Sequence, residues 1–241
     1  MHRFKLTLSY DGGAYHGWQK QPSVLTVEEV IESAMATILQ SDIDVIGQGR
    51  TDAGVHALCQ VAHFDVEDID DIHGLVYALN RLLPDDICVR EIERVHQDFH
   101  ARFDARDRTY GYRFSDLSNP LQRHITLALP RNCDVRRMQK AASVFLGEYD
   151  FKGFSKYNKD AFTTLCTVTE SRILDHGNTY EYEVTANRFL RNMVRRIMGT
   201  LLDVGLGKTS PEEISQALQT GETVFQKTAP PHPLILKEVT Y

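Results

Sequence analysis

Gly49-Arg50-Thr51-Asp52-Ala53-Gly54-Val55-His56-Ala57 is the stretch on which the reading of this chain turns. It follows the apolar pair Val45-Ile46 and precedes an alternating run over 60–66, so it reads as a loop between strands at 44–47 and 60–66. Glycines on either side of an acid let the backbone turn sharply, or approach a ligand where a Cβ would clash. A carboxylate fixed on such a turn, with Arg50 close in sequence, suits nucleophilic attack or proton abstraction. The plainer reading is a turn in which Asp52 bonds its own backbone and Arg50 is solvated. Nine residues alone favour the plainer reading.

Upstream, Phe4, Leu6, Leu8 and Tyr10 alternate with Arg3, Lys5, Thr7 and Ser9, a half-buried strand closed by the turn Asp11-Gly12-Gly13. Thr26-Val27-Glu28-Glu29 has capping-box spacing, and Val27, Val30, Ile31, Ala34, Ile38 and Leu39 recur at helical period. Downstream, Ile72, Leu75, Val76, Leu79, Leu82 and Leu83 predict a second amphipathic helix stopped by Pro84, followed by a strand over 87–95. The second half repeats the rhythm. A strand is expected over 109–114, then a helix capped by Asp134 that runs to Leu146 with Gly147 as its stop. Strands around 167–174 and 180–185 flank the turn Asp175-His176-Gly177-Asn178. A helix carrying Phe189, Met193, Ile197 and Leu201 on one face ends at Gly205, and Ser210-Pro211-Glu212-Glu213 opens a last short one. Two halves, 1–104 and 105–241, thus predict an α+β protein: a mixed, mainly antiparallel sheet built from two related halves, with helices on its faces.

Composition narrows the class. In 241 residues, 42 % are hydrophobic and 25 % charged, as in ordinary globular proteins. No apolar run is long enough to span a bilayer, and the N-terminus alternates like a strand instead of carrying a signal-peptide block, so a cytoplasmic protein without membrane contact is expected. Cys59, Cys88, Cys133 and Cys166 lie far apart and the histidines are scattered, which argues against zinc, disulfides or any structural metal. Neither a phosphate-binding Gly-x-x-x-x-Gly-Lys loop nor a strand-linked Gly-x-Gly-x-x-Gly is present. A formal charge of −6 argues against a nucleic-acid partner on its face. However, arginines gather at Arg102, Arg106 and Arg108 and again at Arg188, Arg191, Arg195 and Arg196, and binding depends on where positive charge sits. The polar, poorly periodic stretch 153–164 reads as a mobile loop.

Three further elements carry possible chemistry, each with a bland counterpart. Tyr10-Asp11-Gly12-Gly13-Ala14-Tyr15-His16-Gly17-Trp18-Gln19-Lys20-Gln21 suits stacking on bases, or equally a hairpin whose aromatics fill a small core. In Arg106-Asp107-Arg108-Thr109-Tyr110-Gly111-Tyr112 the two tyrosines share a strand face, where covering a core edge is their common duty. In Asn187 to Gly199, helical spacing sets Arg188, Arg191 and Arg195 on one face and Phe189, Met193 and Ile197 on another. That basic face is either solvated or a seat for phosphates.

The Gly-Arg-Thr-Asp-Ala-Gly-Val-His block, the upstream Tyr-Asp-Gly-x-x-Tyr-x-Gly-Trp-Gln-x-Gln, Phe99-His100-Ala101-Arg102-Phe103 with Arg108-Thr109-Tyr110-Gly111-Tyr112, and Phe189 to Gly205 together resemble the TruA family of tRNA pseudouridine synthases, in order and across nearly the whole chain. The resemblance implies isomerisation of uridine to pseudouridine at positions 38 to 40 of the tRNA anticodon stem-loop, in a central RNA-binding cleft, with no cofactor and as a homodimer. It implies Asp52 as the catalytic aspartate, Tyr110 as the active-site tyrosine and Arg195 as the arginine paired with the aspartate. Arg50 would help flip the uridine out. Arg50, Thr51, Tyr110, Arg188 and Arg191 would contact the substrate. One departure stands out. Many members carry an arginine in the loop matching 153–164, where this chain has Tyr157-Asn158-Lys159-Asp160-Ala161-Phe162. Lys156 or Lys159 would offer a point charge there in place of a bidentate fork. Two alternatives follow: a paralogue acting on other uridines of tRNA or another RNA, and a catalytically silent RNA-binding or RNA-folding factor.

Overall fold

Alternation over the first ten residues becomes the strand it predicts, β1 (His2–Tyr10). Phe4, Leu6 and Leu8 on its inward face are fully buried, and Phe64 stacks on Phe4 at 5.6 Å. The computed structural model describes residues 1–156, 163–223 and 227–241. It divides into two compact units, Met1–Arg106 with Leu236–Tyr241, and Asp107–Ile235.

The first unit continues with α1 (Val27–Leu39), β2 (Ile46–Gly47), β3 (His56–Val66), α2 (Ile72–Leu82) and β4 (Ile87–Arg94). β1 pairs antiparallel with both β3 and β4, and β2 antiparallel with β3. Both helices put their apolar stripes into the core, through Ile31 and Met35 of α1 and Leu75 and Leu79 of α2. The strand leaving the Asp52 loop starts earlier than alternation indicated, at His56.

The second unit holds β5 (Arg108–Ser115), β6 (Leu127–Ala128), α3 (Val135–Ala142), β7 (Gly147–Asp150), β8 (Leu165–Asp175), β9 (Tyr180–Ala186), α4 (Met193–Gly205) and α5 (Pro211–Thr220). Its strands run in the order β5-β9-β8-β7, with β6 beside β5. All these pairs are antiparallel except β5 with β6. The last strand, β10 (Leu234–Val239), contributes Leu236 to Val239 to the first unit, where it neighbours β3. The expected class, α+β with a mixed and mainly antiparallel sheet, is what forms.

Two local expectations fail for physical reasons. Thr26 is the N-cap of α1, yet its side chain makes no capping bond and its hydroxyl is buried without a hydrogen-bond partner. The Val27 and Glu28 N–H groups instead donate to the carbonyls of Gly17 and Trp18, at 3.2 and 3.0 Å. The upstream loop, not a capping box, satisfies these first N–H groups of the helix. The arginine-rich helix is also shorter than its periodicity. Asn192 takes a left-handed conformation (φ 63°), and the Met193 N–H turns back to the Leu190 carbonyl at 3.0 Å. Arg188 and Arg191 therefore precede α4, and only Arg195 and Arg196 lie on it. At Ser210, the expected start of the last helix, a capping box with Glu213 forms. The Asp134 helix is α-helical only to Ala142 and closes as a 3₁₀ turn, Ser143–Phe145, before Gly147 at φ 118°. Among the described residues, no helix is long and apolar enough to cross a membrane.

Candidate active site

In the first unit, Asp52 rides on a loop that a second loop braces from the side. The Trp18 N–H donates to the Thr51 carbonyl at 3.3 Å, and the Gly54 N–H to the Tyr15 carbonyl at 3.2 Å. The hydroxyls of Tyr10 and Thr51 meet at 2.8 Å in a buried setting. The Val55 N–H donates to the Asp52 carbonyl at 3.2 Å and closes a tight turn, with Gly54 at φ 77° where such a turn demands a positive φ. The loop's root is stapled to β3. Gln48 donates to the Gln60 side-chain carbonyl at 3.0 Å, and the Gln60 amide to the Gly49 carbonyl at 3.2 Å. Thr51 is buried, Asp52 half-buried and Arg50 exposed.

The glycines of the upstream loop make this bracing possible. A Cβ on Gly12 would stand 2.0 Å from the Val55 carbonyl oxygen. Gly17, at φ 94°, would place one 2.4 Å from the Thr51 carbonyl oxygen. On Gly47 a Cβ would strike the Trp18 indole nitrogen at 2.4 Å. At Gly12 and Gly17 backbone lies against backbone, and at Gly47 the indole lies against backbone, with no room for a further side chain. Tyr15 donates its hydroxyl to Asp86 at 2.6 Å, and burial, aided by that carboxylate, raises its ionisation well above the usual phenol range. His56 Nδ1 stands 3.1 Å from the Gly12 N–H and 2.9 Å from the Asp11 carboxylate. One protonation state serves only one of these two contacts.

The bland account of the aromatic loop is thereby the correct one. Trp18 is 1 % exposed, and Tyr10 and Tyr15 are buried with it. These rings fill a small core under the Asp52 loop, so none of them stacks on a base. Sequence reasoning missed their positioning role, although Gly12 and Gly17 were the visible signal for two backbones in close approach.

In the second unit, Tyr110 sits on β5 opposite Val184 of β9, buried, with its ring edge-on to Phe189 at 5.1 Å. Tyr112 on the same face is wholly buried and donates its hydroxyl to the Pro230 carbonyl at 3.0 Å. Burial raises its ionisation far above the usual range, against the pull of the nearby Arg195. Arg195 is held reciprocally: its Nε donates to the Ala229 carbonyl at 2.9 Å, and the Ala229 N–H to its own carbonyl at 3.0 Å. Its guanidinium also reaches the Asn192 side-chain oxygen at 3.5 Å. Gly199, one turn on, lets the 227–229 segment lie against α4, because a Cβ there would stand 2.0 Å from the Lys227 carbonyl oxygen.

Arg191 is exposed and Arg188 half-buried. The Arg191 carbonyl accepts from the Lys156 N–H at 2.9 Å, and Arg196 donates to the Ser155 carbonyl. Asn187, absent from the expected set, ties the strand ends together. Its side chain accepts from the Thr167 N–H at 3.0 Å, and its carbonyl accepts from the Arg108 guanidinium at 2.8 Å. The substituted loop residues 157–162 lie outside the described residues. Each unit thus gathers its own share: Arg50, Thr51 and Asp52 in the first, and Tyr110, Arg188, Arg191 and Arg195 in the second. Among the described residues, no group of three or more His, Cys, Asp and Glu is arranged to hold a metal ion.

The sequence profile of the tRNA pseudouridine synthases matches residues 7–104 and 141–241, which include the Asp52 loop, the loop that braces it and the segment from Asn187 to Gly199, but not β5 with Tyr110. The chain belongs to the tRNA pseudouridine synthase family. A tRNA pseudouridine synthase A from Bacteroides thetaiotaomicron is 42 % identical over 245 residues, covering all of this chain and 91 % of that protein. The protein of the same name from Acetivibrio thermocellus is 41 % identical over the full length of both chains. The tRNA pseudouridine synthase A 2 of Clostridium perfringens is 38 % identical, again over both full lengths. As a member of this family the chain is an enzyme of the isomerase class, and its chemistry is the conversion of uridine in tRNA.

Proposed function

We propose that this enzyme isomerises uridine to pseudouridine at positions 38 to 40 of the tRNA anticodon stem-loop, with Asp52 as the catalytic residue after base flipping. The brace around Asp52 carries the reading. Its neighbours Thr51 and Gly54 are fixed by Tyr10, Trp18 and Tyr15, so the carboxylate is set on a rigid turn, as a catalytic group requires.

The reaction breaks the N1–C1′ bond, turns the uracil and joins C5 to C1′. C5 then gives up its proton and N1 gains one, so the product is an isomer and no electrons enter or leave. Asp52 acts as a carboxylate, attacking the nucleoside or taking a proton from its sugar. A stacked uridine does not reach it, and extrusion costs a few kcal/mol. Exposed Arg50 is suited to enter the vacated stack. Arg195 takes the role that the family resemblance gives it, the arginine paired with the aspartate. Tyr110 holds the base and assists loss of the C5 proton. Thr51 contributes by locking the loop to Tyr10, while Arg188 and Arg191 take phosphates. A cytoplasmic homodimer would lay two such basic segments along one tRNA, which reconciles RNA binding with a formal charge of −6.

The test is tritium release from tRNA labelled at uridine C5. Release is expected from tRNAs with uridine at 38 to 40, and none from any of them would overturn the assignment. The missing arginine over 157–162 supports a second reading, a paralogue acting on other uridines. Pseudouridine mapping in a deletion strain separates the two, since losses away from 38 to 40 favour the paralogue.

A further inference from the structure

Phe103 is the one exposed phenylalanine among the described residues, at 74 %. It lies in Phe99-His100-Ala101-Arg102-Phe103, whose Phe99 and Ala101 are tied into the first unit but for whose exposed Phe103 the proposed chemistry has no use. A lone exposed apolar residue needs no explanation; this one is part of a built display. The His100 ring lies against it at 4.3 Å, tilted 40°, and the Arg102 guanidinium sits 5.7 Å from its centroid.

The loop that carries it is wired at every step. Arg3, paired with Asp65 through two hydrogen bonds, donates to the Phe99 carbonyl at 2.9 Å. Tyr241 donates to the Ala101 carbonyl at 2.8 Å, and the Ala101 N–H donates to buried His63 at 3.2 Å. The Asp104 carboxylate accepts from the His100 N–H at 2.8 Å, while the Asp104 N–H returns to the His100 carbonyl at 3.0 Å. His63 stands seven residues along β3 from His56, about 23 Å at a strand's rise per residue. Gln60, which staples the root of the Asp52 loop, lies only three residues before His63, about 10 Å, and an odd spacing turns the two side chains to opposite faces of β3.

We infer that Phe103, with His100 and Arg102, is a stacking platform for an unpaired base of the RNA substrate, separate from the uridine that reacts. An aromatic ring held open to solvent on a rigid loop, with a guanidinium beside it, matches a flat π-face carrying a phosphate. The wiring removes the ordering cost that a flexible side chain would bring to binding. The inference rests on the tRNA-modifying reading above.

Binding of an unmodified tRNA transcript to Phe103→Ala, Phe103→Trp and, as a control on exposed apolar surface, Leu121→Ala tests it. Phe103→Ala should weaken binding about tenfold, the scale of one lost base–aromatic stack. Phe103→Trp should restore it, Leu121→Ala should bind as the unaltered protein does, and all should melt at the same temperature. Unchanged affinity in Phe103→Ala, in a protein that releases tritium from tRNA, overturns the platform alone. A drop in oligomeric mass for Phe103→Ala, with tRNA affinity intact, assigns the face to a second copy of the chain instead. If the unaltered protein neither binds nor modifies tRNA, the functional reading falls first.

Discussion

The Asp52 loop and the Arg195 segment solve one problem in two ways. Each is pinned by a glycine that admits a backbone carbonyl where a Cβ would stand 2.0 Å from it, Gly12 against Val55 and Gly199 against Lys227. In the first unit the restraint falls on Thr51, next to the acid, and on Gly54, two residues beyond it. In the second, the Arg195 side chain is itself part of the restraint, bonded to Ala229. Position and chemistry are thus divided among different residues in one region and merged in the other.

That difference predicts opposite behaviour on substitution. Asp52→Ala should lower turnover by at least about a thousandfold while leaving the melting temperature close to that of the unaltered protein. Arg195→Met should cost activity and stability together. Matched tritium-release and melting curves check both, and a large loss of stability in Asp52→Ala would break the contrast.

Gly12→Ala and Gly199→Ala probe the feature the regions share. A Cβ at 2.0 Å forces backbone to shift in each case, so each substitution should destabilise its unit by roughly 2–4 kcal/mol, read by urea unfolding. Gly12→Ala should also depress turnover at temperatures where the fold survives, because Val55 closes the Asp52 turn.

Acid should separate the units further. Burial, with Arg3 and His100 adding to it, pushes the His63 imidazole down to about 4 from its ordinary 6.5, and its Nδ1 accepts the Ala101 N–H only when bare. The folded state binds this proton less readily than the unfolded one. The stabilisation is therefore complete above about pH 6.5 and is lost as pH falls toward 4, by up to about 3 kcal/mol. Unfolding measured across that window should show the slope, and His63→Gln should flatten it.

The smallest effect belongs to Tyr10→Phe, which deletes one buried hydroxyl contact and keeps the ring. About 1 kcal/mol is at stake, so turnover should fall roughly fivefold with little change in melting. Thr51→Val should match it, and the double variant should be no worse than either single one.

Much of this was legible in the chain itself. Period-2 alternation over β1 and β5, helical recurrence in α1 and α2, and the start signal of α5 are local signals that burial only reinforces, and they set the α+β class. The motif order from Tyr10 to Gly205 carried the family. The capping role of Thr26 and the N-terminal reach of α4 were not legible. Both were decided by partners distant in sequence or by one residue's backbone: the Gly17 and Trp18 carbonyls displaced the cap, and Asn192 in a left-handed conformation cut the helix.

The sequence by itself determined where the ionisable side chains on which the proposal rests fall, because side-chain chemistry belongs to the residue: Asp52, Arg50, Tyr110 and Arg195. Only the tertiary structure decided which of the surrounding aromatics are struts and which face solvent. Tyr10, Tyr15 and Trp18 went inward and Phe103 outward. For the struts that choice turns on how closely backbone can approach backbone at Gly12 and Gly17 and the Trp18 indole at Gly47, contacts that composition and periodicity do not encode.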